Sequence, residues 1–170
     1  MKTVDYNVLL IGFMGSGKST ISASLSKMLH MEEIDMDHYI EEKEGRTIKE
    51  MFEKDGEEYF RNRETQAVYD FKNKKGIIIS CGGGAVLRQE NVDVMKEQGK
   101  IVLLSATPET TLERVKNSTA RPILNGNMNV EFIEELMKKR ADKYKAAADI
   151  TITTDNKDVI EICNEIIALL

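Results

Sequence analysis

Gly12-Phe13-Met14-Gly15-Ser16-Gly17-Lys18-Ser19 (GFMGSGKS) is a complete GxxxxGK[ST] pattern, and its neighbours on both sides give it a structure. Before it runs Asn7 to Ile11 (NVLLI), short and continuously apolar, as a buried parallel strand is. After it, Lys18 to Leu29 sets Ile21, Leu25 and Met28/Leu29 at helical spacing. Strand, glycine loop and helix in that order make a phosphate cradle. Glycines let successive amides curl round a phosphate, and the helix N-terminus adds partial positive charge. Lys18 has the reach for β- and γ-phosphates, and Ser19 has the hydroxyl for Mg²⁺. A lone GxG would be any turn; the full pattern in this setting is a nucleoside-triphosphate site.

Outward from the loop, strands keep alternating with helices. Glu33-Ile34-Asp35 reads as a second strand, Gly76 to Ser80 as a third, Lys100 to Ser105 as a fourth and Ile150 to Thr153 as a fifth. Tyr39 to Phe71 is helical and charged, with breaks at Gly45-Arg46-Thr47 and Asp55-Gly56, and Thr47 with Glu50 forms a capping box. A helix starts at Thr107-Pro108. Asn117 to Asn129 reads as a mobile loop, followed by helices over Val130 to Ala148 and Asp158 to Leu170. The pattern predicts an α/β three-layer sandwich around a five-stranded parallel sheet. Its long helical insertion after the second strand stands over the carboxyl edge, where such sheets bind ligands.

Bulk properties narrow the function. At 170 residues, 41% apolar and 31% charged, the chain is expected to be one globular domain. A net charge of -5 argues against a nucleic-acid partner but not against a small anion in a basic pocket. The start, MKTVDYNVLLIGFMGSG, reads as a first strand rather than a signal peptide or membrane span. Cys81 and Cys163 follow no metal or redox spacing and read as free thiols in a reducing compartment.

The glycine pattern leaves the phosphate acceptor open: water would make a hydrolase or switch, a second substrate a kinase. No NKxD motif selects guanine, the nearest stretch being Asn73-Lys74-Lys75-Gly76. Asp35-Met36-Asp37 places two carboxylates after the second strand, on one side if the chain is extended, for a metal-bound water and a substrate hydroxyl. The plainer reading is a helix N-cap at Asp37. Arg140 falls inside the apolar stripe of its helix, and Arg61 adjoins Tyr59-Phe60. An inward arginine needs an anion: Glu57, Glu58 or Glu64, or a ligand carboxylate gripped bidentately. Ser80-Cys81-Gly82-Gly83-Gly84-Ala85-Val86 (SCGGGAV) has more bare backbone than a turn requires. With the triphosphate already cradled, it reads as a wall where an acceptor touches backbone amides, so bulk at Gly83 is expected to block the acceptor more than ATP.

FMGSGKST (13–20), IDMD (34–37), FEKDGEEYFRNRE (52–64), SCGGG (80–84), ARPIL (120–124) and KKRADKY (138–144) together strongly resemble the shikimate kinases over essentially the whole chain. The resemblance implies the nucleoside monophosphate kinase type of fold, with sheet order 2-3-1-4-5, a phosphate loop at 12–19, a substrate-binding helical region at 37–72 and a lid at 116–128. It implies a cytoplasmic, monomeric enzyme using ATP and Mg²⁺ to phosphorylate the 3-hydroxyl of shikimate on the way to chorismate, with neither membrane nor nucleic acid as partner. Gly12, Gly15, Ser16, Gly17, Lys18, Ser19 and Thr20 would hold the nucleotide, with Arg114 beside adenine. Ser19 and Asp35 would serve the metal. Asp37 would bind substrate hydroxyls and act as base, and Arg61 and Arg140 would grip the carboxylate, Arg61 oriented by Glu64. Phe52, Phe60 and the amides of Gly82, Gly83 and Gly84 would line the shikimate pocket, and Arg121 would be the lid arginine. Two readings compete. A gluconate kinase of the same fold also takes an acidic polyol, and a regulator without turnover would bind nucleotide but lack the acceptor residues.

Overall fold

Every residue of Asn7–Ile11 is buried, as befits a strand with neighbours on both edges and helices on both faces. In the computed structural model, which describes residues 2–116 and 129–170, this strand (β1) is the centre of the sheet. With β2 (Glu32–Asp35), β3 (Ile77–Ser80), β4 (Gly99–Ser105) and β5 (Ile150–Thr153) it forms five parallel strands in the order β2-β3-β1-β4-β5. Both the parallel sheet and its order are as expected.

Alternation along the strands splits the core in two. Leu9 and Ile11 join Ile79, Ile101 and Leu103 on one face, while Val8 and Leu10 join Ile78, Val102 and Leu104 on the other. The second face is covered by α1 (Lys18–Leu29) and α7 (Val159–Leu169) through Ile21, Leu25, Ile162 and Ile166. The first is covered by α3 (Ile48–Phe71), α4 (Gln89–Gln98) and α6 (Val130–Ala147) through Val68, Phe71, Met95 and Ile133. The short helices α2 (Met36–Glu44) and α5 (Pro108–Val115) close the carboxyl edge.

Three local readings change. The pattern above names no helix between β3 and β4, yet α4 lies there. It starts without a side-chain cap and runs through Gly99 straight into β4, so neither end carries the usual signal. The break at Asp55-Gly56 is a kink inside α3, with Gly56 at φ +85°, while Thr47 caps the helix start by accepting from the Glu50 amide at 3.1 Å. Asp158 is the cap of α7 rather than its first residue, accepting from the Glu161 amide at 2.8 Å. The lid expected at 116–128, with Arg121, lies outside the described residues except for Lys116. No described helix is long and apolar enough to cross a membrane.

Parallel strands bring their carboxyl ends to one edge. Leu10, Ser80 and Asp35 stand in one row across β1, β3 and β2. The glycine loop, the glycine triplet and the aspartates therefore leave the sheet side by side.

Candidate active site

Gly17, at φ +93°, turns the chain so that α1 begins with no side-chain cap and no acidic residue in its first turn. Its leading amides remain open to an anion, which the helix dipole favours. Lys18 Nζ donates to the carbonyls of Gly12 at 2.8 Å and Phe13 at 3.1 Å, so the ammonium folds back over the loop. Arg114, on α5, donates to the Gly15 carbonyl at 3.1 Å and the Thr154 hydroxyl at 3.3 Å, joining the loop to the end of β5.

The Ser19 hydroxyl donates to Asp35 Oδ2 at 2.7 Å, and Asp35 Oδ1 accepts from the His38 amide at 3.1 Å. Asp35 is thus the N-cap of α2, and Asp37 lies in its first helical turn. The two aspartates do not sit on an extended end, and the cap is not Asp37. The chain goes helical at Met36 because the Asp35 side chain satisfies the free amide of His38, in the first turn. Among the described residues no group of three or more His, Cys, Asp or Glu could hold a metal. One hydroxyl with one carboxylate beside a phosphate site is instead the donor set of Mg²⁺, which keeps most of its waters. Ser19 and Asp35 fit that ion.

Across the cleft, α3 and α6 each present a buried arginine. Arg61 donates to Glu64 Oε1 at 2.7 Å, and Glu57 stands 3.5 Å from its Nε. The guanidinium lies 5.4 Å from the centroid of the Phe60 ring, which itself packs 5.2 Å from Phe52. Glu64 is buried, and desolvation raises its carboxyl to about 7 against the pull of Arg61, with Asp37 pushing the same way as burial. Arg140 is only 5% exposed, sits 5.7 Å from the Phe13 ring centroid, and meets no carboxylate at ion-pair distance among the described residues.

The glycine triplet lies between these arginines. A Cβ at Gly84 would overlap the Arg61 guanidinium, and one at Gly82 would come 2.6 Å from Glu64 Oε2 and 3.0 Å from Asp37 Oδ1. At Gly83 the nearest atoms, Arg140 Nη1 among them, are at an ordinary 3.6 Å. The positions crowded by protein atoms are 82 and 84, while a Cβ at 83 would stand beside Arg140 in the cleft wall. Cys81 is a buried strand-end residue whose thiol is pushed up by burial.

One cleft of about 670 Å³ gathers these groups. Gly15, Ser16, Gly17, Lys18, Ser19, Thr20, Asp35 and Arg114 line its nucleotide end; Asp37, Phe52, Phe60, Arg61, Arg140 and the three glycines line the other. Gly12 is not in the wall and contributes its carbonyl to Lys18. Thr154 and Lys157 also reach the cleft, though no role was read for them; their place just past β5 is the signal that marks them. Arg121 lies outside the described residues.

The shikimate kinase family model matches residues 14–170. The chain belongs to the shikimate kinase family. A shikimate kinase of Dehalococcoides mccartyi is 41% identical over 98% of this chain and 93% of its own length. One from Sulfurihydrogenibium is 40% identical over 95% of each. Among solved structures, the Acinetobacter baumannii shikimate kinase in complex with shikimate matches with a TM-score of 0.93 at 34% identity, covering 96% of this chain and 92% of that one. A gluconokinase from Sinorhizobium meliloti, covering 98% of this chain and 92% of its own, reaches a TM-score of 0.59 at 14% identity. That likeness is one of fold alone.

Proposed function

We infer that this shikimate kinase family member transfers the γ-phosphoryl group of ATP to the 3-hydroxyl of shikimate, giving shikimate 3-phosphate and ADP. The observation that carries the reading is Arg140: buried, facing the same cleft as the phosphate loop, with no carboxylate paired to it among the described residues. A charge held that way calls for an anionic ligand. With Arg61 across the glycine triplet, it makes a two-armed grip for a carboxylate.

The residues then divide the work. Arg61 and Arg140 hold the acceptor by its carboxylate, with Glu64 fixing the Arg61 fork at 2.7 Å. Phe52 and Phe60 give the ring an apolar flank, and Asp37 takes up its hydroxyls. The hydroxyl oxygen attacks the γ-phosphorus in line, an O–P bond forming as the bond to the β-phosphate oxygen breaks. Asp37 accepts the hydroxyl proton. Lys18 and the open amides of α1 stabilise charge growing on the transferred group. Ser19 and Asp35 would hold Mg²⁺, which would supply positive charge to the phosphates. The proposal extends to a monomer working in the cytoplasm on small molecules, for which the family resemblance is the support.

ADP release coupled to a reporter decides between acceptors. With Mg²⁺ and ATP, turnover is expected with shikimate and not with gluconate or without acceptor. Turnover independent of shikimate, or none, refutes the reading.

A further inference from the structure

The Tyr144 hydroxyl donates to the Gly83 carbonyl at 2.6 Å. Tyr144 is buried on α6, one turn beyond Arg140, and its phenol pKa is raised by burial, so it is a neutral donor. The sequence marks it only as part of the inward stripe of that helix. Its ring lines a second cavity of about 320 Å³, on the side of α5, α6 and β4, away from the cleft that Gly83 and Gly84 line.

The triplet forms a defined turn. The Ala85 amide donates to the Gly82 carbonyl at 3.0 Å, and Gly84, the third residue, has φ -100° and ψ 6°. These are type I values; a type II turn differs by rotation of the central peptide, here Gly83–Gly84, and puts φ near about +80° at the third residue. Most residues at that position would hold the type I form by themselves, because a Cβ disfavours positive φ. Gly84 cannot, since it must be glycine to let the Arg61 guanidinium lie against it. The residue demanded by the arginine is the one that frees the peptide to flip.

Flipping would matter. The peptide is trans, so a Gly83 carbonyl directed at Tyr144 sends the Gly84 N–H the opposite way, away from Tyr144, and both glycines line the cleft. The reversed peptide would present a carbonyl oxygen there instead. That oxygen would repel an acceptor carboxylate and offer Arg61 and Arg140 a competing partner inside the protein.

We propose that Tyr144 is a positioning residue that locks the Gly83–Gly84 peptide in its type I orientation, so that the acceptor meets an amide and no backbone carbonyl competes with it for Arg61 and Arg140. The proposal rests on the acceptor reading given above and adds to it the element that sets the wall's polarity. The same bond ties α6, which carries Arg140, to the loop against which Arg61 packs. Lys143, the preceding residue, strengthens the tie by donating to the Leu87 carbonyl at 3.1 Å.

Tyr144→Phe keeps the buried ring and removes the hydroxyl, and with it the bond to Gly83 and the contact with the Arg140 side chain; the Gly84 amide resonance separates the two. Its shikimate KM is expected to rise about five- to tenfold, the weight of one hydrogen bond, with the KM for ATP unchanged. Met137→Ala, which trims the wall of the same second cavity, is expected to lower Tm and leave both KM values in place. In ¹⁵N-labelled wild type, shikimate should shift the Gly84 amide resonance, and Tyr144→Phe should lose that response. An unchanged shikimate KM in Tyr144→Phe overturns the proposal, as does an equal rise in both KM values or a matching rise in Met137→Ala. Absence of shikimate-dependent turnover in the wild type would instead overturn the acceptor reading, so the two failures are distinct.

Discussion

Glu64 shows how a single buried carboxylate carries opposite loads. It orients Arg61, which favours its charge, yet burial and the neighbouring Asp37 raise its pKa from 4.5 to about 7. A group that binds its proton more tightly when folded stabilises the fold fully below its unfolded pKa. That contribution is lost as pH rises through the folded value. The window for Glu64 runs from 4.5 to about 7. Glu64→Gln, which cannot titrate, should therefore gain stability relative to wild type across that window. Urea midpoints of both proteins at about pH 5 and about pH 8 would test this. A difference that stays constant with pH would mean that Glu64 titrates as an exposed acid. Side-chain chemistry alone leaves Glu64 as one of three candidate partners for Arg61, and the family resemblance singles it out. Its burial depends on α3 packing over the glycine triplet, a contact between segments distant in the chain.

At the level of elements, legibility followed the strength of local signals. The phosphate loop could be read because the pattern, the strand before it and the helix after it agree. Arg140 stood out because a charge interrupted an apolar stripe. The start of α2 was misplaced by two residues, since Asp35 and Asp37 are equally good caps by composition and only the sheet's end selects between them. The triplet was read as a ligand wall, but its residues differ in a way that no glycine run reveals. Bulk at 84 meets Arg61, bulk at 82 meets Glu64 and Asp37, and bulk at 83 meets nothing closer than 3.6 Å. Gly84→Ala should accordingly raise the shikimate KM at least about tenfold by displacing the Arg61 guanidinium, with the KM for ATP held. Gly83→Ala should stay within about threefold of wild type, as ordinary van der Waals contact allows. Steady-state kinetics on the two variants checks the order; a larger effect at 83 than at 84 would refute it.

Across the whole molecule, the same sheet supports two cores of unequal security, each holding one buried cysteine. Cys81 belongs to the α3/α4/α6 side, where the end of β3 is fixed to β1 by the Cys81 amide donating to the Leu10 carbonyl at 2.9 Å. Reaching its thiol requires moving interior strands and the wall of the cleft. Cys163 belongs to the other side, on α7, which packs with α1 on that face and leaves Ile160 and Leu169 each 54% exposed. A helix docked through one stripe can detach without breaking the sheet, and local opening of that kind costs less than global unfolding. Cys163 should therefore react with a thiol reagent faster than Cys81 in the native protein. ATP and shikimate, which bind only where the cleft is whole, should slow Cys81. At a hundred times the Kd, the slowing should be about a hundredfold for opening that abolishes binding. Cys163 should be slowed less, because detaching α7 leaves the phosphate loop and both arginines in place. Mass spectrometry of peptides labelled over time, with and without the two substrates, measures both rates. Equal rates that fall equally on binding would show instead that the α/β sandwich opens only as one unit.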